Sequence, residues 1–229
     1  MRPVLFLLVG IATACFAHDP ITTKLTWTRE ISRIVQRRCL QCHREGGSAP
    51  MPLATYEQAR PWAVAIAEQV LERQMPPWDA VKGFGDFKHD ISLSQEEVQQ
   101  IADWVAGGAP EGDTAYLPAT PSEPPTLPPV QVTGRTLKLT GSLRLKRDAV
   151  VAAIRPDTIP EGTSVRVIAH RPDGSVEPML WLRNYRPKFA RAFEYRKPRR
   201  LPAGTVVRVV PADAGSLTLF LTSSTITKR

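Results

Sequence analysis

Leu137-Lys138-Leu139-Thr140-Gly141-Ser142-Leu143-Arg144-Leu145-Lys146 divides this chain of 229 residues into two unlike halves. Leu137, Leu139, Leu143 and Leu145 alternate with Lys138, Thr140, Arg144 and Lys146, so one face is apolar and the other wet. That is the period of a half-buried β-strand. The period recurs downstream, where Val165, Val167 and Ala169 alternate with Arg166 and His170, and Arg171-Pro172-Asp173-Gly174 supplies turn chemistry. Further strands are expected near 179–182, 190–195, 206–210 and 217–221. About seven short antiparallel strands predict a β-sandwich over residues 131–229.

Upstream, Pro118, Pro121, Pro124, Pro125, Pro128 and Pro129 lie among Glu, Ser and Thr. The stretch 114–130 reads as an extended, semi-rigid linker and a domain boundary. Before it the pattern is helical. Thr28 is a candidate cap for a helix carrying Ile31, Ile34 and Val35 toward Cys39. Thr55 opens a second helix, with Ala59, Trp62, Ala63, Ile66 and Val70 in one stripe and Pro61 near its first turn. Ser94-Gln95-Glu96-Glu97 is a capping box leading to Val98, Ile101, Trp104 and Val105, and Gly107-Gly108 ends that helix. The expectation is an α+β multidomain chain, with an all-α domain over 18–113 joined by a Pro-rich linker to an antiparallel β-sandwich.

Apolar residues make up 42% and charged residues 23%, as in a folded globular chain. The first residues differ. Met1-Arg2-Pro3 is a short basic start, residues 4–14 are an apolar run, and small residues lead to Ala17. Residues 1–17 read as a secretory signal peptide cut after Ala17, which implies a periplasmic or otherwise exported protein. Cys15, preceded by Ala12-Thr13-Ala14, leaves a lipoprotein anchor as an alternative. No other stretch approaches the roughly 20 apolar residues a spanning helix needs.

Charge divides with the halves. Ten basic against fifteen acidic residues leave −5 over 18–129, and nineteen against seven leave +12 over 130–229. For an exported chain this excludes nucleic acid as the expected partner. It points to an acidic protein, anionic lipid, or docking of the basic β half on the acidic helical half. The basic residues concentrate at Arg183, Arg186, Lys188 and Arg191, then at Arg196, Lys197, Arg199 and Arg200.

Cys39-Leu40-Gln41-Cys42-His43 carries the chemistry. C-x-x-C-H is the c-type haem attachment motif: two thiols add to the haem vinyl groups and the next residue gives an imidazole to the iron. A disulfide across so short a loop would add little as a staple. A thioredoxin-like pair would want a βαβ context, and a zinc site would need a fourth ligand, for which His89 is the nearest histidine. Cys39 and Cys42 are thus the candidate covalent haem attachments and His43 the candidate axial ligand. For the second axial position Met75, in Arg73-Gln74-Met75-Pro76-Pro77-Trp78, is favoured because paired prolines stiffen its loop. Met51 in Ala49-Pro50-Met51-Pro52, His89, or no ligand remain open. His/Met ligation raises the reduction potential and suits electron transfer.

Trp27-Thr28-Arg29-Glu30-Ile31, the C-x-x-C-H, Ala49-Pro50-Met51, Tyr56 to Trp62, Arg73 to Trp78, and Trp104 through Asp113 together resemble a known module. It is the monohaem class I cytochrome c domain that precedes copper type II, ascorbate-dependent monooxygenase-like domains in exported bacterial proteins. The resemblance implies a cytochrome c haem-binding domain over 18–113 and a Pro50 carbonyl that accepts from the His43 imidazole. It extends more faintly to the β half, through Pro172-Asp173-Gly174, Leu180-Trp181-Leu182 and Leu201-Pro202-Ala203-Gly204-Thr205. There the family's paired histidines are replaced by Ala153-Ile154-Arg155-Pro156-Asp157, leaving His170 and Met179 with no matched ligand position. Copper is therefore not expected. The expectation is an exported monohaem electron carrier with a redox partner protein and the β half as its docking module. The alternatives are a haem oxidoreductase related to the copper monooxygenases and a haem-based sensor with a ligand-binding β half.

Overall fold

The computed structural model describes residues 24–119 and 134–222. The expected signal peptide with Cys15 and most of the expected linker lie outside the described residues.

Eight strands dominate the chain: β1 (Thr136–Thr140), β2 (Ser142–Arg144), β3 (Ala149–Pro156), β4 (Val165–His170), β5 (Val176–Leu182), β6 (Phe193–Leu201), β7 (Val206–Val210) and β8 (Ser216–Leu221). They pair antiparallel as two four-stranded sheets, β1-β8-β3-β6 and β2-β7-β4-β5. Alternation works as expected in β4, where Val165, Val167 and Ala169 are buried between exposed or half-buried neighbours. β3 is a strand the sequence reading missed. Its burial alternates, with Ala149, Val151 and Ala153 buried and Val150 and Ala152 half-buried, and the register shifts between Val151 and Ala153. The half-buried positions are themselves apolar, so no polar alternation marks it in the sequence.

Among the described residues α-helix is short and falls in three stretches before residue 107. Thr26, rather than Thr28, caps the first: its side chain accepts from the Arg29 backbone N–H, and a wide turn over Trp27–Ile31 runs into α1 (Ser32–Arg38). Thr55 and Gln58 form a reciprocal capping box for α2 (Tyr56–Ala59). A 3₁₀ turn over Arg60–Trp62 accommodates Pro61 before α3 (Ala63–Leu71). Ser94 and Glu97 cap α4 (Gln95–Ala106) in the same reciprocal way, and Gly107 ends it. Their buried faces meet in a small core of Trp27, Ile31, Ile34, Val70, Ile101 and Trp104. Trp104 is wholly buried, packs its ring 6.1 Å from that of Trp27, and donates from Nε1 to the Pro110 carbonyl at 2.9 Å.

The expected all-α N-terminal cytochrome c domain is therefore corrected. The described residues are mostly antiparallel sheet, and their short helices do not make an extended all-α cytochrome c domain. The reason lies in residues 76–92. Gly83, Gly85 and His89 adopt positive φ there, which breaks any helix. The large apolar groups between them need more cover than three short helices can give. They find it in the β core, where Trp78, Ala80, Phe87 and Ile91 are all buried.

This segment also joins the two sheets. It bridges β5 through Ala80 and Leu182, with Val81 N–H donating to Trp181 O at 2.8 Å and Arg183 N–H to Asp79 O at 2.9 Å. It then bridges β6 through Phe87 and Tyr195, with Lys88 N–H on Glu194 O at 2.8 Å and Arg196 N–H on Asp86 O at 2.9 Å. β5 and β6 are edge strands of different sheets, so one strap covers both edges that would otherwise expose unpaired backbone. Gly85 is needed in it: a Cβ there would lie 2.3 Å from the Phe87 ring and 2.8 Å from Met179 O. Among the described residues no helix is long and apolar enough to cross a membrane.

Candidate functional site

The C-x-x-C-H stretch sits where α1 runs out. Cys39 caps the helix through its N–H on Val35 O, and the N–H groups of Cys42 and His43 both return to the Cys39 carbonyl. One tight turn therefore holds both thiols and the imidazole. Both cysteines are free and half-buried. Gly47 lets the chain fold back beneath them, since a Cβ there would meet Cys42 O at 2.2 Å.

His43 is oriented from behind. Its Nδ1 lies 3.0 Å from the Met51 carbonyl, and Leu53 N–H on His43 O at 2.9 Å closes the loop that brings that carbonyl round. The acceptor is one residue beyond the Pro50 carbonyl that the resemblance implied. Such a contact fixes ring orientation, makes Nδ1 the protonated nitrogen and leaves Nε2 for a metal. Met51, like Cys39, is partly buried against the helical core.

Burial pushes the Cys39 thiol up to about 12, with the charges of Glu97 and Cys42 adding to it and Arg38 opposing. Glu97 is the nearby charge, joined to Arg38 Nε at 3.1 Å. Burial alone would raise the Glu97 carboxyl, but hydrogen bonds from Ser94 and Arg38 and the charges of Arg38 and Arg37 outweigh it and hold it low. Among the described residues no three His, Cys, Asp or Glu side chains are placed to share a metal ion. Two available thiols beside an imidazole with one nitrogen already engaged do fit the donor set of a c-type haem.

Met75 is half-buried in the turn that ends α3. The N–H groups of Gln74 and Met75 both donate to Gln69 O, at 2.8 and 3.1 Å. Arg73 takes the left-handed conformation usually left to glycine, with φ of 61°. Its guanidinium crosses to Leu93 O at 3.3 Å and Gln95 Oε1 at 2.6 Å, tying the turn to the start of α4. On the other side Arg186 grips Gln74 and Asp79. That contact is invisible to local sequence reading because its partners lie more than a hundred residues apart. Arg191 lies over the Trp78 ring at 5.5 Å, and burial draws its guanidinium below the usual value, with Asp79 and Cys42 opposing and Arg186 adding. Arg191 thus joins the β half to the strap at Trp78.

The remaining candidates scatter. His89 is exposed in the strap, His170 is half-buried where β4 ends, and Met179 is wholly buried in β5. Of the basic run, Arg186 pairs with Asp79, Arg196 with Asp86 and Arg199 with Glu177. Lys197 and Arg200 are exposed.

No family model matches the chain, and no curated protein matches it. Among solved structures it is similar to the core of Drosophila NLP, a structure described for pentamer formation and histone binding. Identity is 16%, over 38% of this chain and 94% of that one, with a TM-score of 0.30. A likeness that loose fixes neither fold nor function.

Proposed function

We propose that this chain is an exported electron-transfer protein that carries one covalent c-type haem on Cys39 and Cys42, with His43 and Met75 as axial ligands. The observation that carries the reading is the His43 imidazole, held through Nδ1 by Met51 O on the same turn that holds two free thiols. When bound, the haem would supply a one-electron couple whose potential follows its axial ligands and burial. The chain's own residues do the rest. Met51 O orients the imidazole, Cys39 and Cys42 tether, and Arg73 and Arg186 brace the turn that carries Met75. Exposed basic groups such as Lys197 and Arg200 suit an acidic redox partner protein met by long-range attraction, an effect that salt screens.

Met75→Ala tests the ligand assignment. The haem is expected to stay attached, while the sulfur–iron charge-transfer band of the oxidised protein disappears and the reduction potential falls. Met51→Ala should leave both unchanged. A band that survives without Met75 would remove it from the site.

A further inference from the structure

We propose that Arg186, on the loop after β5, is a positioning residue for the second axial ligand, so that the β half sets the ligation of a group tethered to the helical half. The inference rests on the Met75 reading above. Arg186 donates from Nε and Nη2 to Asp79 Oδ1, at 3.0 and 2.6 Å, and its backbone N–H donates to Asp79 Oδ2 at 2.9 Å. Its remaining arm, Nη1, donates to the Gln74 carbonyl at 2.6 Å and to Gln74 Oε1 at 3.1 Å. One guanidinium therefore clamps the residue before Met75 and the residue four beyond it. The side chains of Arg186 and Asp79 are only 11% and 6% exposed, so this pair is shielded from the screening that weakens surface ion pairs.

The position has a mechanical consequence. Met75 sits in a turn whose other fixed points are Arg73, held by α4, and Trp78, seated in the β core with its ring 5.2 Å from that of Phe193. A thioether is a weak, neutral ligand, and its residence on iron depends on how little entropy its loop regains by letting go. Arg186 removes that freedom at both ends of the loop with five hydrogen bonds. Lysine could keep the charge opposite Asp79, but it has no planar fork to reach Asp79 and Gln74 together.

The test uses the full chain matured with haem, comparing wild type with Arg186→Gln, Arg186→Lys and the control Arg171→Gln. Arg171 also forms an ion pair, with Glu177, and also donates to Arg200 O. The readouts are the sulfur–iron charge-transfer band and the affinity of the oxidised protein for added imidazole, which competes with the thioether. Arg186→Gln should bind imidazole at least about tenfold more tightly, as expected for lost charge-assisted bonds, and weaken the band. Arg186→Lys should fall between and decides the matter where Arg186→Gln misfolds. Arg171→Gln should match wild type. Unchanged imidazole affinity in both Arg186 variants, or an equal rise in Arg171→Gln, overturns the positioning role while leaving the haem reading intact. A wild-type protein that takes up haem but has no sulfur–iron band overturns the Met75 reading, and this inference with it.

Discussion

Residues 131–229 produced without the rest of the chain are expected to aggregate rather than fold as a monomer. The sandwich core includes Trp78, Ala80, Phe87 and Ile91, all supplied from outside that fragment. Truncating one large buried aromatic costs about 3–5 kcal/mol. Losing Trp78 and Phe87 together therefore approaches the whole net stability of a domain, about 5–15 kcal/mol. The fragment would also bare the edges of β5 and β6, which the strap pairs in the intact chain. Co-production with residues 24–119 should restore a soluble complex, read by size-exclusion chromatography and circular dichroism. A monomeric fragment that melts cooperatively near the temperature of the full chain would show that the strap is dispensable.

The second large effect belongs to the helical core. Trp104→Ala should lower stability by about 4 kcal/mol, from the lost burial and the cavity left behind. Trp104 is wholly buried, meets Trp27, and holds the Pro110 carbonyl through Nε1. Pro110 O also accepts from Trp27 N–H, so one carbonyl ties the chain beyond α4 to the turn before α1. For a protein of this size the loss corresponds to a fall of roughly 10 °C in melting temperature. Trp104→Phe should recover part of it, because the ring volume mostly returns while the hydrogen bond does not. A change below about 1 kcal/mol in Trp104→Ala would mean that this core contributes little.

Much of this architecture can be read locally. The Ser94–Glu97 capping box, the Thr55 cap and the alternation of β4 are set by neighbours within a few positions, and each is found where the sequence places it. The turn over Cys39, Cys42 and His43 is legible for the same reason, since these residues are close together in the chain. The illegible parts depend on distant pairing. β3 shows no polar alternation because its half-buried positions, Val150 and Ala152, are apolar as well, and the strap of residues 78–91 has no period of its own because its partners are the edges of β5 and β6. Read in isolation, its glycines and aromatics suggest a loop within a helical domain. The β region over 131–229, read by itself, is an independent domain bounded by the prolines. Arg186 likewise reads as one member of a basic run. Its burial against Asp79 follows from the strap alone.

Covalent haem on Cys39 and Cys42 is put to the test by intact-protein mass spectrometry after denaturation in acid. The full chain, produced in a host that attaches haem to C-x-x-C-H motifs, should carry the added mass of one haem that acid and organic solvent do not extract. Cys39→Ala with Cys42→Ala should lose all of that mass, and His43→Ala should lose iron ligation from this turn. A wild-type protein of unmodified mass under those conditions, folded and stable, would contradict the account.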